Sequence, residues 1–507
     1  MKKKNQHIRR AGVLLPISAL PSNYGIGTFG EAAYRFVDFL AGAGQSLWQI
    51  LPLGPTSYGD SPYQSFSTFA GNPYFIDPEK LVAQGLLTKK ECDSFDFGSN
   101  DRYIDYEKIY FGRFKLLRKA FARAVKKGMV GSPEYQAFCK KNADWLEDYA
   151  LYMGVKELFG GVSFLEWDED IRLRKKTAME KYRKKTAQEM EFYRFQQYLF
   201  NLQWQELKAY ANEKGVEIVG DIPIYVAPDS ADTWANPELF QLDAKGYPKA
   251  VAGCPPDCFS ETGQLWGNPL YDWPKHKATG YAWWIKRLRA CFEWYDVVRI
   301  DHFRGFDEYW SVPYGDKVAS GGHWEKGPGY DLFAAVKKEL GERQVIAEDL
   351  GFMTDSVIRL VEKSGYPGMK IMQFAFSAEG NSEHIPYNYD RNFVVYTGTH
   401  DNDTMAAWLE KMPAKDVRYA MKYTGVKDKK DLPAAYIRFA MASCADTCII
   451  PIQDYLELGN EARMNLPSTI GNNWKWRVKD RDLTAKLSKR MKELVTVYGR
   501  GSQVAPR

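Results

Sequence analysis

Three acidic residues stand where apolar runs end. Asp301 closes V-V-R-I-D-H-F, Glu348 closes V-I-A-E-D-L-G, and Asp401 closes Y-T-G-T-H-D-N-D. A single acid at the end of a strand is usually just solvated. Three of them, each followed by polar companions, suggest one shared site. Carboxyls buried close together must differ in proton affinity, so that one can hold a proton while another stays ionised. Chemistry at an anomeric carbon needs this set: one carboxylate attacks or stabilises the sugar while a carboxylic acid protonates the leaving oxygen. Arg299 lies two residues before Asp301 and so points to the same strand face, where a guanidinium would keep that acid ionised and oriented. His302 and His400 each neighbour one of the acids, and His400 is the better placed to hold a sugar hydroxyl.

The elements that must carry these acids are short. Eight runs of strand length, rich in β-branched and aromatic residues, occupy 11–15, 46–53, 216–226, 295–303, 344–351, 369–376, 392–401 and 447–456. Helical patterns lie between them. Residues 31–43 put Ala33, Phe36, Phe39 and Leu40 on one face, and 281–293 and 331–340 behave alike. Eight strands alternating with helices predict a (β/α)8 barrel, an α/β fold of the TIM type, in which strand ends converge on one mouth. The uneven spacing predicts large insertions around the C-terminal face, mainly helical at about 55–215 and a substrate-loop region at 227–286. The whole of 1–507 then reads as one catalytic domain with no separate C-terminal β domain. No internal repeat is evident.

Composition sets limits. Of the 507 residues 45% are hydrophobic, enough to bury a large core. The net charge is +5, from 69 basic and 64 acidic residues, too small an excess to indicate nucleic acid. The basic stretch within 171–190 is interleaved with Glu and Gln and reads as a solvated helix face. No run of about 18 apolar residues occurs, so no membrane span is expected, and no apolar stretch of the needed length follows the basic start before Pro16, so no export signal is expected either. The seven cysteines, Cys92, Cys139, Cys254, Cys258, Cys291, Cys444 and Cys448, then read as reduced thiols in a cytoplasm. Cys254/Cys258 and Cys444/Cys448 are each spaced by four and lack the C-x-x-C pattern of a zinc site, so no metal is expected. Fifteen Trp, 32 Tyr and 28 Phe exceed what a core alone demands and suit a surface that stacks on sugar rings.

Six blocks, in order, carry a resemblance: GDSPYQSFSTFAGNPYFID (59–77), GDIPIYVAPDSADTWANPELF (220–240), PPDCFSETGQLWGNPLYDW (255–273), RIDHFRGF (299–306), AEDLG (347–351) and YTGTHDNDT (396–404). Together the chain resembles the 4-α-glucanotransferases, the amylomaltase or disproportionating-enzyme family of glycoside hydrolase family 77. The resemblance implies Asp301 as nucleophile, Glu348 as general acid/base and Asp401 as transition-state stabiliser. It implies sugar-binding or active-site roles for Tyr63, Asp221, Gln264, Trp266, Arg299 and His400, with Ser61 and Asn465 as further substrate-binding residues. It further implies a retaining transfer of an α-1,4-glucan segment to the 4-hydroxyl of another glucan or of glucose, without cofactor or metal, by a monomer or homodimer. The chain departs from the family pattern at Cys254 and Cys258, in the loop expected to be flexible over the glucan. It departs again at PSTIGNNWKWR (467–477), where the pattern is closer to PGT-x-x-GNWxWR.

Three other readings compete. An α-1,4-glucan hydrolase would use the same carboxylates. A non-catalytic glucan-binding scaffold would explain the aromatics but not the acids. A nucleotide-dependent oxidoreductase would explain G-x-G-x-x-G at Gly25, Gly27 and Gly30, although Pro16 and Pro21 intervene after the first run and no acid ends the second.

Overall fold

The computed structural model describes residues 8–256, 260–380 and 382–501. Cys258 and part of the loop containing it lie outside these.

All eight predicted runs form strands: β1 (Arg10–Leu14), β2 (Leu47–Gln49), β3 (Glu217–Pro223), β4 (Val297–Asp301), β5 (Val345–Ala347), β6 (Gly368–Ile371), β7 (Phe393–Tyr396) and β8 (Thr447–Pro451). Seven parallel pairings link them in the order β6-β7-β8-β1-β2-β3-β4-β5. The Ala347 N–H donates to the Pro367 carbonyl at 2.9 Å, which carries the sheet round between β5 and β6. The molecule is therefore a (β/α)8 barrel.

Side-chain alternation explains the layers. On β4, Val298 and Ile300 join the outer core beneath the helices, while Val297 joins the interior cluster. On β3, Ile218 faces out and Val219 in. Continuing that period of two, Asp221, Arg299 and Asp301 face the interior above the apolar layer. Gly220 faces outward, where a Cβ would meet the Tyr295 ring at 2.2 Å, so only glycine lets that ring seat. The register then sets Asp221 beside Arg299.

The helix predicted at 31–43 runs Glu31–Gly42 and buries Ala33, Phe36, Val37 and Leu40; Phe39 is only partly buried. Between β2 and β3 the chain is largely helical, including Tyr106–Lys126, Ala143–Leu158 and Ala187–Glu213. The N-termini of several of these helices are capped by acids or hydroxyls, as at Asp105, whose carboxylate accepts from the Lys108 N–H. A second sheet was not anticipated. Before β4, Gln264–Pro269 pairs antiparallel with Ala250–Cys254, which pairs on its other side with Glu308–Pro313, after β4, and that strand pairs with His323–Lys326.

The glycine motif serves packing. Gly25 has φ 75°, and a Cβ on Gly27 or Gly30 would come within 1.9 Å of the Ile17 carbonyl or 2.1 Å of Asp77 Oδ2. In this barrel the three glycines admit close backbone approach and build no dinucleotide turn. Among the described residues, no helix is long and apolar enough to cross a membrane.

Candidate active site

Asp301 is the last residue of β4. Its Oδ1 lies 3.0 Å from Arg299 Nη1. The same Nη1 stands 2.8 and 2.7 Å from the two oxygens of Asp221, and the Tyr63 hydroxyl donates to Asp221 Oδ2 at 2.8 Å. Arg299 and Asp221 are almost wholly buried. Burial opposes the arginine's charge, but Asp221 and Asp301 outweigh it and hold its proton affinity well above the ordinary value. Burial pushes the Tyr63 hydroxyl up strongly, and Asp221 adds to this, so Tyr63 stays a neutral donor.

The strand stops sharply after Asp301. His302 adopts a left-handed backbone (φ 54°, ψ 48°). From there its N–H donates to Glu348 Oε2 at 2.7 Å, and the Leu350 N–H donates to Glu348 Oε1 at 2.8 Å. The main chain around Glu348 is fixed as well: its N–H donates to the Ile300 carbonyl at 3.1 Å, and its own carbonyl accepts from Phe303 N–H at 3.0 Å. Glu348 is 8% exposed. Burial, then the nearby Asp301 charge, push its carboxyl up to about 8, against the pull of Arg299 and the two amides. Asp301 is raised to about 6, by burial first, with Arg299 pulling down and Asp221 and Asp401 pushing up. At neutral pH the pocket thus contains a carboxylic acid able to give a proton beside a carboxylate held by a guanidinium.

Asp401 sits after β7 and its side chain is 43% exposed. Asn465 Nδ2 donates to its Oδ1 at 2.7 Å, and His400 Nε2 stands 3.5 Å from the same oxygen. Arg463 ties the turn together: Nη2 donates to the Asp401 carbonyl at 2.6 Å, Nε to the Asn465 carbonyl at 2.7 Å, and Nη1 to the Asp403 carboxylate. The His400 ring stacks on Tyr63, centroids 5.2 Å apart at 19°, and so joins the Asp401 group to the Asp221–Arg299–Asp301 group.

The remaining predicted residues complete the connection. Ser61 Oγ accepts from the Tyr63 N–H at 3.2 Å, which makes Ser61 a support for Tyr63. Trp266 Nε1 donates to Gln264 Oε1 at 3.2 Å, and the Trp266 ring meets His302 edge-on at 4.8 Å. Both come from the second sheet, which is how that sheet borders the mouth. His302 is neutral, since burial lowers its pKa to about 3.

Three residues of the site were not singled out from sequence. Trp474, in the 467–477 block, lies 5.8 Å from Tyr63 and 6.0 Å from His400 between ring centroids. Tyr396 on β7 donates to Gln49 Oε1 on β2 at 2.8 Å, which makes a polar floor inside the barrel. A polar Gln closing an apolar strand was the available signal for that floor. Among the described residues no group of three or more His, Cys, Asp or Glu side chains is placed to share a metal ion.

Known proteins are similar to this chain along nearly its whole length. The family described as 4-alpha-glucanotransferase, glycoside hydrolase 77, matches residues 15–484. A 4-alpha-glucanotransferase of Streptococcus pneumoniae is 52% identical over 494 residues, 97% of each chain. That of Clostridium butyricum is 47% identical over 486 residues, covering 96% of this chain and 99% of its own. The solved amylomaltase of Streptococcus agalactiae in complex with acarbose superposes with a TM-score of 0.94 at 42% identity, over 97% of this chain and 100% of its own. A barrel whose strand ends gather three acids around one arginine, matched along nearly its whole length, belongs to the 4-alpha-glucanotransferase family.

Proposed function

We propose that the chain transfers a segment of an α-1,4-glucan to the 4-hydroxyl of a second glucan or of glucose, by a retaining double displacement in which Asp301, Glu348 and Asp401 divide the work. Glu348 protonates the glycosidic oxygen while Asp301 attacks the anomeric carbon, giving a glycosyl-enzyme ester and a free leaving chain. Glu348, now ionised, takes the proton from the acceptor's 4-hydroxyl as that oxygen displaces Asp301. Asp401, the most open of the three, holds ring hydroxyls of the distorted sugar and favours its oxocarbenium-like state. Tyr63, Asp221 and Arg299 orient Asp301, supported by Ser61, while Gln264, Trp266, His400 and Asn465 line the sugar path.

The observation that carries this reading is the unequal setting of the two carboxyls: buried Glu348 accepts from two backbone N–H groups and is pushed up to about 8, while Asp301, its side chain 30% exposed, stands 3.0 Å from the Arg299 guanidinium. The substrates fit a relative solved with acarbose. We place the enzyme in the cytoplasm, as a monomer or homodimer, with 55–215 and 227–286 as the insertions that flank the mouth.

Incubation with maltotriose tests the reaction. Transfer yields glucose and longer chains with no net gain of reducing ends. A steady rise in reducing ends would make the chain a hydrolase using the same acids.

A further inference from the structure

Phe352 is 69% exposed and lies on the loop that leaves Glu348. A lone exposed apolar side chain is ordinary. This one differs in how its backbone is fixed. Gly351 before it has φ 88°, a bend that glycine makes without strain. The Phe352 carbonyl then accepts from Arg304 Nη1 at 2.6 Å. Arg304 is buried, with its guanidinium 3.9 Å from the Trp324 ring centroid. Arg304 also belongs to the turn that begins at His302, whose amide holds Glu348 and whose ring meets Trp266. The ring of Phe352 therefore stands in water on a main chain tied into the walls of the site.

Its place along the chain gives it a side of the cleft. Phe352 is four residues from Glu348, a reach of at most about 14 Å. A group that protonates the glycosidic oxygen stands next to the leaving sugar, and the incoming acceptor later takes the same side. The loop bearing Glu348 thus borders the acceptor path. Glu348 is buried and Phe352 is exposed, so within that reach the loop runs from the reacting group out to solvent. A flat apolar ring suits the apolar face of a pyranose.

We propose that Phe352 is a stacking platform for an outlying ring of the acceptor glucan, past the ring whose 4-hydroxyl reacts, and that it sets the preference for longer acceptors. This rests on the transferase reading, with Glu348 as acid/base.

The test is Phe352→Ala and Phe352→Trp, with a saturating α-1,4-glucan donor and glucose, maltose or maltotriose as labelled acceptor. Phe352→Ala should raise KM for maltotriose about three- to tenfold, with kcat within twofold and KM for glucose unchanged. Phe352→Trp should restore the wild-type value. An equal rise in KM for glucose, an unchanged KM for all three, or a fall in kcat alone would overturn the proposal. Failure of the underlying reading looks different: wild-type enzyme would then add no label to longer chains from any acceptor.

Discussion

Two buried clusters in this molecule use the same parts to opposite ends. In the helical region, Asp229 accepts from Lys156 Nζ at 2.5 Å, from the Tyr152 hydroxyl at 2.5 Å and from the Phe164 N–H at 3.1 Å. One cation meets one carboxylate, and a tyrosine and an amide fill the remaining lone pairs. In the barrel mouth Arg299, Asp221 and Tyr63 repeat that scheme. There, however, the cation is also asked to serve Asp301, with Glu348 beside them. The first cluster is neutral and satisfied, so it holds the segment around Asp229 against the helix Ala143–Leu158 and the turn that starts at Phe164. The second carries more buried carboxyl than one guanidinium can neutralise. A proton on Glu348 relieves part of that surplus, and Asp301, its side chain 30% exposed, leaves the rest to Arg299 and to water. A buried polar cluster with an unmatched acid is therefore the mark of chemistry here, where a matched one marks structure.

The largest effect should come from removing the surplus. Asp301→Asn takes away the attacking oxygen, and transfer from maltotriose should fall at least about a thousandfold. Stability should hold or rise, because a crowded buried charge has gone. Urea unfolding alongside the rate would check both, and a large loss of stability would mean that Asp301 holds the fold. Next in size is the pH profile. Asp301 must be ionised and Glu348 protonated, so kcat/KM should be bell-shaped. The acid limb falls as Asp301 gains a proton below about 6, and the alkaline limb falls as Glu348 loses its proton above about 8, each about tenfold per pH unit. An activity still rising above pH 9 would remove Glu348 from the role of acid.

Much of this site was legible in the sequence. The eight barrel strands are short β-branched runs, and Asp301, Glu348 and Asp401 follow them where a barrel opens. Arg299 was placed on the face of Asp301 by the strand period alone. The polar floor of Gln49 and Tyr396 was not legible, because barrel strands are buried on both faces and their apolar runs do not say which side is the interior. The second sheet was hidden for another reason. Its strands come from both sides of β4, and His323–Lys326 (HWEK) is too short and polar to read as a strand. The glycines of 25–30 showed the opposite failure. A motif was plain, but its purpose, close approach to Ile17 and Asp77, depends on neighbours that only folding supplies.

The smallest effect on chemistry should come from the matched cluster, and it sharpens the contrast most. Lys156→Met keeps the aliphatic stem and removes the charge. Asp229, whose side chain is 26% exposed, then keeps Tyr152 and the Phe164 amide but loses its cation. A fully buried carboxylate stripped of its partner costs about 3–5 kcal/mol, and partial exposure reduces that to about 2 kcal/mol. The Lys156 Nζ also lies 5.0 Å from the ring centroid of Phe66, in the same 59–77 block as Tyr63, so a trace of the change can reach the mouth. Yet the Asp221–Arg299–Asp301 arrangement is set by the register of β3 against β4, which Lys156 does not touch. We expect a lower urea midpoint, kcat/KM within about threefold of wild type, and both pH limbs unmoved. A shifted alkaline limb would show that the two clusters share charge, and that balance around Glu348 extends into the helical region.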